Sequence, residues 1–184
     1  MNVKTQLVAI VLFLACTLSH AYKPELGEAP AAMDRLEYVD GTPVDLLALR
    51  GSPTVLYFGA DWCVPCVERG RPATMAAASK YGPMGLKVIF VSMDDNKFRA
   101  SKVEEENRLG MRIAMARMEI CPPHKCPSGS PDLGAFGRIY YFPTAFVLDA
   151  NGVVRARMSF GQGVAGGLDA AVREVMQAAG MLAK

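Results

Sequence analysis

The chain has 184 residues, 51% of them apolar and 21% charged. That suits one compact domain and excludes a disordered tail, a coiled coil or a collagen-like fibre as a description of the whole. A formal charge of +2, without a basic run to concentrate it, gives no reason to expect a nucleic-acid partner, and two histidines are too few for a three-His zinc site.

Residues 1–21 read as an export signal. Lys4 supplies a positive start, residues 7–18 form a 12-residue apolar stretch, and Ser19-His20-Ala21 offers small residues at the −3 and −1 positions of a cleavage site. The stretch is short for a membrane span, which needs about 20 apolar residues. An uncleaved N-terminal anchor and lipidation at Cys16 are the alternatives. Cleavage after Ala21 leaves Cys63, Cys66, Cys121 and Cys126, with His124 as the one imidazole. An exported protein can pair its cysteines, and four allow three connectivities.

Residues 22–35 carry Pro24, Gly27 and Pro30 and read as a linker or extended lead-in segment; residues 36–184 then form the domain. Residues 44–49 fit a short turn of helix ending at Gly51. Residues 54–58, Thr-Val-Leu-Tyr-Phe, are apolar on both faces, as in a buried strand of a parallel sheet, and residues 86–93 read the same way. The Ala- and Met-rich interval 64–81, closed by Gly82-Pro83, fits a helix, making a βαβ unit. Residues 96–109 suggest a solvated surface helix closing at Gly110, with Phe98, Val103 and Leu109 as its apolar residues.

Residues 111–142 hold Pro122, Pro123, Pro127 and Pro131 with Gly129, Gly134 and Gly137, long for a plain connection. Residues 144–148 are a third apolar strand and Asp149-Ala150-Asn151-Gly152 a turn. In 154–160 the alternation places Val154, Ala156, Met158 and Phe160 on one face and Arg155, Arg157 and Ser159 on a wet one. Leu168, Val172, Val175, Met176 and Ala179 share one face of a final helix.

Trp62-Cys63-Val64-Pro65-Cys66 follows directly on a buried strand and opens a helix. A thiolate there meets unsatisfied backbone N–H groups and the positive end of the helix dipole, so its pKa falls. Cys63 is the expected nucleophile and Cys66 the resolver of the mixed disulfide. Pro65 sits where the first turn tolerates a missing N–H. The bland readings are a plain staple, or half a zinc site completed by Cys121, His124 and Cys126; the neighbouring Trp, the intervening Pro and the strand–helix context favour redox use.

The sequence resembles the thioredoxin superfamily, in particular the exported TlpA/ResA/CcmG-like reductases. The resemblance rests on residues 58–66 (Phe-Gly-Ala-Asp-Trp-Cys-Val-Pro-Cys), Phe142-Pro143-Thr144, and residues 147–152 (Val-Leu-Asp-Ala-Asn-Gly), and spans about residues 36–180. It implies an α/β thioredoxin-like fold: a central mixed sheet flanked by helices, with a Pro/Gly/Cys-containing insert before the cis-proline strand. It implies that Pro143 is cis and that Phe142 and Thr144 flank a substrate groove with Trp62 and Pro65. No organic cofactor and no metal are expected, since the disulfide is itself the redox group.

Three positions depart from the family pattern. Tyr57 stands where a buried acid is usual, and Asp61, two before Cys63, does not simply inherit its role. Pro72 lies six residues after Cys66 instead of five. Phe142 is bulky for the residue before the cis-proline.

Val64-Pro65 lacks the imidazole that oxidants of this superfamily tend to carry, so the resemblance implies a reductase. Its partners would be disulfide-bearing or dithiol exported clients, of the cytochrome c or copper-site maturation type, with electrons from a membrane thiol donor. A periplasmic location follows, or membrane anchoring if the signal is uncleaved.

Two other classes are weighed. A copper-handling protein would use Met111, Met115, Met118, Cys121, His124 and Cys126; against it, the three methionines have helical i, i+4, i+7 spacing and read as core filler. A thiol peroxidase would need a peroxidatic cysteine outside the C-x-x-C pair, where only Cys121 and Cys126 are available. For those two, five positions apart, a structural disulfide is the bland expectation, and a second redox pair or a Cu(I) site with His124 the sharper one.

Overall fold

The structure is a computed structural model that describes residues 24–30, 33–118, 120–121 and 131–183. The expected export signal lies outside the described residues, as do His124 and Cys126.

Six strands form one mixed sheet in the order β1-β4-β3-β2-β5-β6. They are β1 (Leu36–Tyr38), β2 (Thr54–Gly59), β3 (Lys87–Ser92), β4 (Arg112–Ala116), β5 (Thr144–Leu148) and β6 (Val154–Ser159). β2, β3 and β4 run parallel, while β1, β5 and β6 pair antiparallel to their neighbours. Every residue of the central strand β2 is buried, as its two-faced apolar sequence requires. The helices are α1 (Arg71–Tyr81), α2 (Arg99–Leu109) and α3 (Gly161–Ala178). A π-helical turn, Cys66–Gly70, leads into α1.

The sheet divides the core in two. On one face Val55, Tyr57, Phe90, Ile113 and Val147 pack against Ala77 and Tyr81 of α1 and Val164, Leu168, Val172 and Met176 of α3. The other face, with Leu56, Phe58, Val91, Phe146 and Leu148, is covered by Met33, Val44, Leu46, Leu133, Phe136 and Ile139. Those covering residues belong to irregular chain and short turns. Phe136 is fully buried and stands edge-on to Phe146, centroids 5.2 Å apart.

Several elements differ from the sequence reading. Residues 44–49 form bends and turns without a helix: Val44 and Leu46 are drawn onto the sheet as lid residues. The long 111–142 region contains β4 and, beyond it, the buried Cys121, Leu133, Phe136 and Ile139, so much of it is core. Met115 lies on β4, fully buried, while Met118 beyond the strand is 44% exposed; the three methionines do not share a helical face, and the filler reading survives for Met115 alone.

In β6, Val154 opposes Leu148 but Ala156 opposes Val147, which leaves Arg155 as a bulge. The extra residue turns Val154 onto the irregular-chain face and Ala156 and Met158 onto the helix face, breaking the expected alternation. In α2 the polarity is reversed: Phe98 just before it and Val103 are exposed, whereas Lys102 is 1% exposed.

Truncating Phe136 to Ala tests whether the irregular face carries stability. The expected loss is about 3–5 kcal/mol, that of a buried aromatic, read as a lowered urea midpoint at unchanged slope. A loss below about 1 kcal/mol would mark residues 131–139 as a detachable flap.

Candidate active site

β2 ends at Gly59, and a turn closed by Cys63 N–H donating to the Ala60 carbonyl (3.3 Å) delivers Cys63 to the start of the helical segment. Cys63 and Cys66 are joined by a disulfide, with Cα atoms 5.2 Å apart. The Cys66 N–H donates to the Cys63 carbonyl at 2.9 Å and also to Cys63 Sγ at 3.2 Å, so one helix-end N–H is shared between the backbone and the leading sulfur. Both cysteines are buried in this oxidised form, Cys63 at 6% and Cys66 at 0% exposure, so Cys63 is less open than a partly exposed nucleophile. Met93 and Phe142 pack against the pair; Met93 was not anticipated.

The Phe142–Pro143 peptide bond is cis. Pro143 approaches the helix at Gly70, where an added Cβ would lie 2.7 Å from Pro143 Cγ and 2.6 Å from Tyr57 Oη. Only glycine fits that crossing. Tyr57, at the position of the missing acid, donates its hydroxyl to the Cys66 carbonyl (3.1 Å). That carbonyl also accepts from the Arg71 N–H, five residues on, closing the π turn. A π turn absorbs one additional residue into a helix, which accounts for Pro72 standing six positions after Cys66 instead of five. Burial pushes the Tyr57 phenol well above its ordinary pKa, so it serves as a neutral donor and not as a proton acceptor.

An aromatic rim surrounds the pair. Trp62, 53% exposed, stands edge-on to Phe142 (5.7 Å). Tyr141 and Phe160 are both exposed, with rings 5.1 Å apart. Val64 and Pro65 are exposed between them. Gly161 lies against Pro65: a Cβ there would come within 3.1 Å. Phe160 adopts φ 66°, ψ 152°, a region essentially reserved for glycine. Its N–H donates to the Pro143 carbonyl (2.8 Å), which ties the start of α3 to the cis-proline loop. Sequence reasoning had Phe160 on a strand face; the signal available was Gly161 at a strand-to-helix junction.

Thr144 was expected beside a groove. It is fully buried, and its hydroxyl donates to the Tyr141 carbonyl (2.7 Å) and meets Ser159 Oγ (3.0 Å). It braces the loop from behind instead of lining a surface.

On the other side of the pair lies an ionic cluster the sequence did not reveal. Lys102 Nζ contacts Asp61 (2.6 Å), Glu105 (2.9 Å) and Asp94 (3.0 Å). Arg71 bonds Asp61 and also Glu105 (3.0 Å). Asp94 accepts from the Asp61 backbone N–H (3.0 Å). Burial alone would raise the Asp61 carboxyl, but the hydrogen bonds from Lys102 and Arg71 outweigh it and hold the group below the usual carboxylate range. Burial likewise opposes the charge on Lys102, and its bonds to Asp61 and Glu105 reverse that and raise its pKa.

Away from the pair, Cys121 is buried and engaged in a disulfide. It therefore offers neither a free peroxidatic thiol nor a thiolate for copper. Among the described residues no three His, Cys, Asp or Glu side chains group as a metal site.

A disulfide-bonded C-x-x-C pair at a helix start beside a cis-proline, on a sheet of this order, defines a thioredoxin-fold protein. The sequence matches the AhpC/TSA family over residues 28–157, and the chain belongs to that family. It is similar to the thiol-disulfide oxidoreductase ResA of Bacillus thuringiensis (strain Al Hakam) and of Bacillus anthracis, each 25% identical over 116 residues, 63% of this chain and 60% of the relative. The chain thus spans about 60% of the length of the curated relatives it matches. Among solved structures, a possible thiol-disulfide isomerase domain from Cytophaga hutchinsonii aligns at TM-score 0.60, with 18% identity, 87% of this chain and 99% of that one. A thio-disulfide isomerase from Thermus thermophilus aligns at TM-score 0.58, with 22% identity and 85% and 97% coverage. These likenesses show the thioredoxin-like α/β fold.

Two measurements bear on the site. Phe160→Gly should be more stable than Phe160→Ala by about 1 kcal/mol or more, because both lose the ring but only Gly tolerates the backbone. Equal urea midpoints would contradict the conformation of residue 160. For pH, Asp61 is depressed, so its contribution is full above the unfolded value of about 3.9 and is lost as pH falls through the folded value. Melting temperatures at pH 6 and pH 3 should therefore differ less in Asp61→Asn than in the wild type; an unchanged difference would contradict the ion pair.

Proposed function

We propose that the protein is a thiol-disulfide oxidoreductase that reduces disulfides of exported client proteins. The observation that carries the reading is the Cys66 N–H on Cys63 Sγ, within a bonded pair beside Pro143. In the reduced protein the Cys63 thiolate attacks one sulfur of a client cystine, and the other client sulfur leaves as a thiolate and takes a proton. Cys66, deprotonated, attacks Cys63 Sγ, closes the Cys63–Cys66 bond and releases the second client thiolate, which is protonated in turn. Two electrons pass to the client, and an external thiol donor at the membrane restores the dithiol.

Support for the reductive direction comes from the exposed Val64 and Pro65, which bring no imidazole or cation to the thiolate. The rim of Trp62, Pro65, Tyr141, Phe142 and Phe160 gives an apolar surface for the chain flanking the client cystine. Clients of the cytochrome c or copper-site maturation type suit an exported, periplasmic protein, held at the membrane if its leader is uncleaved. Among the described residues no helix is long and apolar enough to cross a membrane. We assign the Cys121 bridge, with Cys126 as its partner, a structural role in the lid over the sheet. A copper-handling role has less support, with Met115 interior to the sheet and Cys121 already bonded.

A Cys66→Ala variant should accumulate a Cys63–client mixed disulfide that mass spectrometry of the native compartment identifies, while Cys63→Ser abolishes dithiothreitol-coupled insulin reduction. Trp62 fluorescence should change on reduction, since Trp62 is the single tryptophan and adjoins the pair. Full insulin activity in Cys63→Ser would end the assignment.

A further inference from the structure

The Asp61-Asp94-Glu105 carboxylates, with Lys102 and Arg71, form a compact group beside the redox pair that the thiol exchange itself does not use. Asp61 lies two residues before Cys63, in the turn closed from Ala60 to Cys63, so their Cα atoms are at most about 7 Å apart. Three carboxylates against two cations leave a net charge of −1. Lys102 touches all three acids and is 1% exposed, so its charge is screened little by solvent.

We propose that this cluster sets the electrostatic potential felt by Cys63, with Lys102 as the positioning residue that holds Asp61 in the active-site turn and offsets the carboxylates. This rests on the assignment of Cys63 and Cys66 as the redox pair. The helix-end N–H stabilises a Cys63 thiolate; the excess negative charge opposes it. Asp61→Asn takes the cluster from −1 to neutral and favours the thiolate. Lys102→Met takes it from −1 to −2 and disfavours it. The other charged groups at the edge of the cluster, Glu104 and Arg108, line a shallow cavity of about 480 Å³ with Asp61 and Arg71; they carry opposite charges and are present in every variant.

The two variants must therefore move the pair in opposite directions, which loosening of the loop would not do. One unit charge at about 10 Å in a partly screened medium shifts a thiol by roughly 0.5 pKa unit, about threefold in ionisation. The experiment measures the pH dependence of Cys63 alkylation, and the equilibrium of the disulfide with two reduced glutathiones, which yields one oxidised glutathione and the protein dithiol. Asp61→Asn should lower the alkylation pKa and shift the equilibrium toward the dithiol by up to about threefold. Lys102→Met should do the reverse, and Lys102→Arg should restore wild-type values. Shifts of the same sign in Asp61→Asn and Lys102→Met, or none in either, overturn the proposal while leaving the redox assignment intact. A wild-type protein that does not exchange with glutathione overturns both. Where Lys102→Met does not fold, Asp61→Asn decides alone: an unshifted alkylation pKa overturns the proposal.

Discussion

The arrangement turns on one close crossing. At Gly70 the helical segment passes the Tyr57 hydroxyl and the Pro143 ring at distances that leave no room for a side chain. That crossing joins the central strand and the helix that starts at the cysteines to the loop before β5, which is distant from both in sequence. Tyr57 could not reach the Cys66 carbonyl without it, and the π turn from Cys66 to Gly70 is the backbone's accommodation of it. An additional residue between Cys66 and Pro72 is tolerable because the helix absorbs it as a local widening, leaving the cysteines at the first turn and Tyr81 in the core.

Legibility in the sequence follows how local each feature is. β2, β3 and β5 were readable because strands buried on both faces are short apolar runs whatever surrounds them. The cysteine motif was readable because strand end, Trp, Pro and helix start are contiguous. β1 and β4 were not: Leu36–Tyr38 and Arg112–Ala116 are short and mixed, and β1 finds its partner in β4 only across 70-odd residues. The bulge at Arg155 was hidden because one added residue does not disturb an alternating pattern, while it exchanges the two faces. Lys102 was read as solvent-facing because lysine usually is; its burial depends on three acids, two of which, Asp61 and Asp94, come from loops well before it in sequence.

The irregular cover of one sheet face has a similar origin. Residues 44–49 read as a short turn of helix and residues 133–139 as part of a long loop, yet both are irregular chain whose Val44, Leu46, Leu133, Phe136 and Ile139 are nearly or fully buried. A segment with Pro and Gly at close intervals can still supply large side chains to a core, provided its backbone groups are satisfied at the edges; the Leu133 N–H donates to the Gly137 carbonyl in this way. Composition alone therefore marks such a stretch as a loop when packing makes it a lid.

The surroundings of the dithiol are lopsided, and the asymmetry has a physical logic. Exposed Trp62, Tyr141 and Phe160 with half-buried Phe142 make one side apolar, while the other is ionic, with Asp94, Glu105, Arg71 and Lys102 largely enclosed and Asp61 54% exposed at its edge. An apolar side can accept many polypeptides without altering the charge at the sulfurs. The enclosed carboxylates Asp94 and Glu105 keep their own counter-ion in Lys102, so their charge does not depend on what lies against the rim. Under the proposed function, specificity and redox poise would then vary independently: a change in the rim would alter which chains approach, and a change in the ionic cluster would alter how readily Cys63 gives up its electrons. Asp61 and Trp62 are adjacent in sequence, one facing each environment, so in the turn from Ala60 to Cys63 the ionic and the apolar surroundings are separated by a single peptide bond.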